Sequence, residues 1–191
     1  ADRGLSITHK KIELSQDVQQ TNNLVYARRK DRPLHIDTFV PKDVNSLKSV
    51  VILVHGGGWK KGDRSKEHTK AAWFSNRGYI VVCPEYRLSG EALFPAAIHD
   101  LKDAICWTRE HALEWDGEPD RMILMGFSAG AHLVALAATA GPEAGLDISE
   151  SQKQSNSVAA CIVVAGPSIT NDERAFLEAR KPESNYQLFL G

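Results

Sequence analysis

The sequence predicts an α/β fold, a mostly parallel sheet with helices on both faces. Three observations carry this. Short apolar runs recur at Ser49–Val54, Tyr79–Cys83, Arg121–Met125 and Val158–Ala165, each of strand length. Segments with helical spacing stand between them, so strands and helices alternate from residue 49 onward, as in βαβ units. The runs are continuous rather than alternating, which suits strands buried on both faces.

Each element has its own warrant. Ile7–Leu14 and Leu34–Val40 alternate apolar and polar residues, and each reads as an edge or half-exposed strand. Asn23–Tyr26 starts one more strand or leads into the second. Pro41–Lys42–Asp43 breaks the pattern before the first buried run. A helix is predicted over about 66–77, carrying Ala71, Ala72, Trp73 and Phe74 and closed by Gly78. Pro84 stops the next strand, and Glu85–Ser89 forms a loop. A long helix runs from Ala96 to Trp115, with Ile98, Leu101, Ala104, Ile105 and Thr108 at helical spacing. Asp116–Asp120 turns the chain into the third buried strand. Residues 141–157 read as a surface loop, and Asp172–Lys181 as a helix passing over the sheet.

Composition narrows the function classes. The 191 residues suffice for one domain with a sizeable core, and 42% hydrophobic with 25% charged residues is ordinary for a globular chain. A net charge of −1 gives no electrostatic case for nucleic acid or an anionic membrane. No apolar run approaches the roughly 20 residues of a membrane helix. No signal peptide is visible, and the chain opens on Ala1, which leaves a cytoplasmic and a processed periplasmic or secreted protein both open. Cys83, Cys106 and Cys161 fall in a strand, a helix and a strand, and read as buried small hydrophobes rather than a disulfide or metal set. No histidines stand at metal-ligand spacing, so neither a metal nor a cofactor is expected.

Two stretches carry chemistry. Gly126-Phe127-Ser128-Ala129-Gly130 reads G-x-S-x-G, with a predicted strand before it and an alanine- and leucine-rich helix former after it. That context turns a common pattern into a sharp turn that lifts the middle serine into an exposed, strained position. The helix starting there aims its positive end and free N–H groups at the same spot. His55-Gly56-Gly57-Gly58-Trp59 follows a buried strand and leaves backbone N–H groups approachable, as stabilising an oxyanion requires. A phosphate cradle is the competing reading, but the G-K-[ST] ending and the G-x-G-x-x-G pattern are both missing.

Together these stretches resemble the α/β-hydrolase superfamily, and within it the esterase/lipase group related to hormone-sensitive lipase and the small carbohydrate-ester esterases. Pro84-Glu85-Tyr86-Arg87-Leu88 is similar to the group's D-Y-R-L segment. Phe94-Pro95-Ala96-Ala97-Ile98-His99-Asp100 resembles its F-P-A-A-x-x-D helix start, and Asp120-Arg121-Met122 its D-R-I strand opening. The resemblance covers about residues 34–166. It implies a three-layer sandwich forming a single domain over 1–191, and a serine hydrolase of small-molecule carboxylic esters. Ser128 would be the nucleophile, and the N–H groups of Gly57, Gly58 and Ala129 the oxyanion hole. Trp59, Tyr86 and Phe127 either line an acyl or aromatic pocket or pack in the core. Glu85 stands where the group has aspartate, and Ala131 where many members have a third glycine.

The remaining partners of the serine are not evident. The superfamily's order is Ser, then Asp or Glu, then His. His132 is the one histidine after Ser128, and it lies a turn into the following helix, pointing away from the serine's tip. His55 is expected to fix the oxyanion loop. Asp172 follows the last strand, where some members of the wider superfamily place their acid. The expectation is therefore that acid and base lie beyond residue 191, and that the chain is the N-terminal two-thirds of a domain whose last strands are absent here. A catalytically incomplete relative acting as a binding or scaffold protein, a homodimer that borrows its missing edge, and a serine peptidase or amidase all remain open.

Overall fold

The computed structural model describes residues 12–42, 47–147, 155–166 and Phe189. Among them six strands are formed: β1 (Val18–Arg29), β2 (Arg32–Pro41), β3 (Val50–Val54), β4 (Ile80–Pro84), β5 (Met122–Phe127) and β6 (Ala160–Val164). The helices are α1 (His68–Ser75), α2 (Ala96–His111) and α3 (Ala129–Thr139). The strands make one sheet in the order β1-β2-β4-β3-β5-β6. β3 pairs with β4 and β5 in parallel, and β5 with β6; the β1–β2 and β2–β4 pairs are antiparallel.

The strand period sorts the core into two layers. Val50, Ile52 and Val54 of β3, Ile80 and Val82 of β4, and Met122 and Leu124 of β5 join Ile98, Leu101 and Ile105 of α2 and Leu133 and Val134 of α3. Val51, Leu53, Val81 and Cys83 point to the other face, where they meet Ala71, with Phe74, Ile123 and Met125 packed against them. β3 is buried along its whole length. The continuous aliphatic runs of β3 and β4 thus have the meaning assigned to them in the sequence, and so do the helical positions of α2 from Ile98 to Thr108.

Several boundaries differ, each for a physical reason. Of the strand expected over Ile7–Leu14, residues 7–11 lie outside the described residues, and Ile12–Leu14 are not in a strand. The outer strand is β1, which contains the expected Asn23–Tyr26 segment; it is half exposed and mostly polar, so it shows no apolar alternation, and Asn23 stands at φ 62° at a register shift between Thr21 and Leu24. Leu34–Val40 is no edge: β2 has a neighbour on each side. Its polar Asp37 is buried because Arg64 and His68 pair with it at 2.9 and 2.8 Å. The helix expected at 66–77 is a 3₁₀ turn at Arg64–Glu67 followed by α1, and the long helix ends as α at His111 with a 3₁₀ turn at Ala112–Trp115. β6 was expected to be buried on both faces. Instead it pairs with β5 alone among the described residues, and Ile162 and Val163 are 42% and 50% exposed. The helix expected at Asp172–Lys181 lies outside the described residues, as does Asp172 itself.

Ionic contacts staple the loops to this frame. The Arg87 guanidinium meets Asp100 through Nε and Nη2, both at 2.8 Å, and the Arg87 N–H donates to the same carboxylate at 3.0 Å. Arg29 of β1 reaches Asp100 at 2.9 Å and Asp103 at 2.5 Å. Arg109 of α2 donates to the carbonyls of Ser155 (2.9 Å), Ser157 (2.5 Å) and Pro119, fastening the lead-in to β6. Cys83 and Cys106 are buried and Cys161 is half-buried, and none of the three is in a disulfide. Burial raises their thiol pKa values, that of Cys106 to about 11, which keeps them neutral at physiological pH.

Candidate active site

The site is assembled where three parallel strands end. β5 runs into α3 through Ser128, whose backbone adopts φ 52° and ψ −116°. An L-residue reaches this conformation only at a cost of about 1–3 kcal/mol, so the surroundings must hold it. They do so from both sides. The Ser128 N–H donates to the Val164 carbonyl of β6 at 3.0 Å, and the Ser128 carbonyl accepts the first α3 bond, from His132 N–H, at 3.2 Å. Gly130 lets α3 approach β3: a Cβ there would collide with the carbonyl oxygens of Val54 and His55. The Ser128 side chain is left exposed.

The glycine loop lies against this turn. A Cβ on Gly56 would fall 2.6 Å from the Phe127 carbonyl oxygen and 3.2 Å from Ser128 Cβ, so the two segments touch through backbone. Gly57 has φ 141° and Gly58 φ 60°, and the Gly57 carbonyl accepts the N–H groups of Lys60 and Lys61 at 3.3 and 3.1 Å. Among the described residues no acceptor takes the N–H of Gly57 or Gly58. Ala129 is the first residue of α3, where N–H groups lack intrahelical partners. Gly57, Gly58, Ala129 and Ser128 therefore sit on two segments in direct backbone contact.

His55 holds the root of the loop. It is 1% exposed; its ring stacks on Tyr86 at 4.3 Å and 12°, and the Tyr86 hydroxyl donates to the His55 carbonyl at 2.9 Å. His55 Nδ1 lies 3.0 Å from the Gly56 carbonyl. Burial pushes its pKa below the ordinary value of 6.5, and that of His99 likewise. The unfolded chain then takes up protons below about pH 6.5 that the native fold resists. The stability contributed by neutral His55 is full above that pH and declines as pH falls toward its folded-state pKa. Urea midpoints measured from pH 7.5 to 5 should fall, and the fall should be shallower in His55→Asn.

A second cluster fixes the far end of the loop. Arg64 bridges Asp37 and Glu85 at 2.9 and 2.6 Å, and His35 meets Glu85 at 3.2 Å. Glu85 thus uses the position where the resembling group carries aspartate to reach across to the turn that follows the glycines. Sequence reasoning did not single out Arg64, because its partners come from β2 and the post-β4 loop.

The three aromatic positions separate. Trp59 is buried and packs edge-on against His132 at 5.4 Å. Tyr86 is buried, with both ring and hydroxyl committed to His55, which makes it a wall behind the loop. Phe127 is half-buried near the end of β5, with Lys70 of α1 4.3 Å above its ring. His132, one turn into α3, is buried against the indole of Trp59. The bonded ring nitrogens of His35, His55, His68 and His111 go to Glu85, Gly56, Asp37 and Trp107 rather than to Ser128. No group of three or more His, Cys, Asp or Glu among the described residues is placed to hold a metal ion, and none of their helices is long and apolar enough to cross a membrane.

Known proteins resemble this chain in sequence and in fold. The chain is 41% identical over 90 residues to esterase LipQ of Mycobacterium tuberculosis, covering 47% of this chain and 21% of that protein. It is 34% identical over 116 residues to carboxylesterase NlhH of the same organism, covering 60% and 36%. The matched stretch is thus well under half the length of these curated relatives. The fold matches that of Thermogutta terrifontis esterase 2 with a TM-score of 0.71 at 24% identity, over 87% of this chain and 63% of that one. Residues 36–191 match the BD-FAE family. With that match spanning most of the sequence, the chain belongs to the BD-FAE family, which is of the α/β-hydrolase esterase and lipase kind.

Proposed function

We propose that the protein is a hydrolase of small-molecule carboxylic esters acting through an acyl-enzyme on Ser128. The observation that carries this reading is the exposed Ser128 at φ 52°, with the Gly56–Gly58 backbone packed against its turn. In this reading Ser128 Oγ attacks the acyl carbon as a base takes its proton. The carbonyl oxygen becomes an oxyanion held by the N–H groups of Gly57, Gly58 and Ala129, the alkoxide leaves with a proton, and water releases the acid. The base is a histidine outside the described residues. The esterase and carboxylesterase relatives support ester bonds as the target class.

A fluorophosphonate probe tests the reading on the protein that carries this chain. Labelling of Ser128, located by peptide mass and competed by p-nitrophenyl acetate, is the expected result. A folded, full-length protein that neither labels nor hydrolyses p-nitrophenyl acetate would sink it.

A further inference from the structure

Phe189 lies far along the chain from the glycine loop, yet it packs at that loop's end. It is 1% exposed, and its ring stacks on Trp59 with centroids 4.9 Å apart and planes at 21°. Phe94 and His132 meet it edge-on at 5.6 and 5.9 Å. The Phe94 N–H donates to the Phe189 carbonyl at 2.9 Å, so its backbone is tied as well.

Trp59 is the residue this packing constrains. It follows Gly57 and Gly58 directly and has φ 57°, in the left-handed region where a bulky side chain is a true outlier. Such a conformation persists only when its surroundings over-determine it. Ser89 N–H holds the Trp59 carbonyl at 2.8 Å, His132 meets the indole edge-on at 5.4 Å, and Phe189 lies face to face with it. Offset stacking of this kind is a favoured aromatic geometry.

We propose that Phe189 is a positioning residue for the oxyanion loop, acting through Trp59; this rests on the ester-hydrolase reading above. By clamping the indole, Phe189 keeps Trp59 left-handed and holds the N–H groups of Gly57 and Gly58 toward Ser128. An oxyanion exists only along the reaction path, so loosening the loop should weaken transition-state binding and leave ground-state binding nearly intact.

The test is steady-state kinetics of the full-length protein on p-nitrophenyl acetate. Phe189→Ala is expected to lower kcat about tenfold with KM within about twofold, a fraction of the roughly 10²–10³ lost with a whole oxyanion donor. Phe189→Tyr, which keeps the ring, is expected to restore most of kcat. In a Trp59→Ala background, Phe189→Ala is expected to cause little further loss. A merely structural role would lower the melting temperature while kcat per labelled site stayed at the wild-type value, and that result overturns the proposal. Phe189→Leu is read the same way if the alanine variant does not fold. Wild-type protein that fails to label with fluorophosphonate overturns the ester-hydrolase reading itself, and this proposal with it.

Discussion

Replacing Ser128 with alanine is expected to lower kcat for ester hydrolysis by about 10⁴–10⁶-fold, the range seen when a serine nucleophile is deleted from a hydrolase. The size of the effect follows from the proposed role. In that role the N–H groups of the glycine loop and the start of α3 would stabilise charge created by the attack of Oγ, so without Oγ only the small residual rate that an oxyanion hole sustains alone would remain. The backbone adds a readout that activity alone does not supply. Ser128 sits at φ 52° and ψ −116° whether or not it carries an oxygen. Alanine keeps the cost of that conformation, whereas glycine relieves it. Ser128→Gly should therefore be as inactive as Ser128→Ala, yet more stable by about 1 kcal/mol in urea unfolding. Equal stability of the two variants would show that no strain is held at this position. Retention of hydrolysis by either one would place the nucleophile elsewhere.

The legibility of this chain follows the range of the forces involved. The turn at Ser128 and the loop at Gly57 are local demands on backbone shape, met by glycines close together in sequence, Gly126 and Gly130 in the one and Gly56–Gly58 in the other. β3 and β4 were legible because burial on both faces leaves almost no choice but aliphatic residues. β1 was legible only at Asn23–Tyr26, since an outer strand with polar faces carries little apolar pattern. β2 was read as an edge or half-exposed strand because Asp37 reads as solvent-facing until Arg64 and His68, which come later in the chain, are seen to pair with it. The same holds for Phe189: an isolated phenylalanine says nothing of Trp59 until the chain has folded back. For Tyr86 the motif was visible, but a tyrosine that lines a cleft and one that stacks on a buried histidine look alike in one dimension.

Asp100 should be the most costly single position for stability. It is fully buried, and its two oxygens accept four bonds: three from Arg87 and one from Arg29. These bonds join the outer strand β1, the loop after β4 and the start of α2. Asp100→Ala removes the acceptor and leaves two guanidinium groups partly buried against a void. Breaking a buried pair in this way costs about 3–5 kcal/mol, a large part of the roughly 5–15 kcal/mol by which domains are stable. Two features separate this account from simple loss of packing. Asp100→Asn keeps the shape and one acceptor oxygen but not the charge, and should recover only a minor part of the loss, because hydrogen bonds to a charged group are about twice as strong as neutral ones. The double change Arg87→Met, Asp100→Leu removes both charges of that pair and leaves the Arg29–Asp103 pair in place, and should be less destabilised than Asp100→Ala despite altering more atoms. Urea titrations of the four proteins supply the comparison. If the double variant is the least stable of the set, the Arg87–Asp100 pair contributes net stability as an ion pair. If it recovers, the cost of Asp100→Ala lies mainly in the stranded Arg87, and the pair's value lies in fixing where the loop that carries Tyr86 and Arg87 must sit.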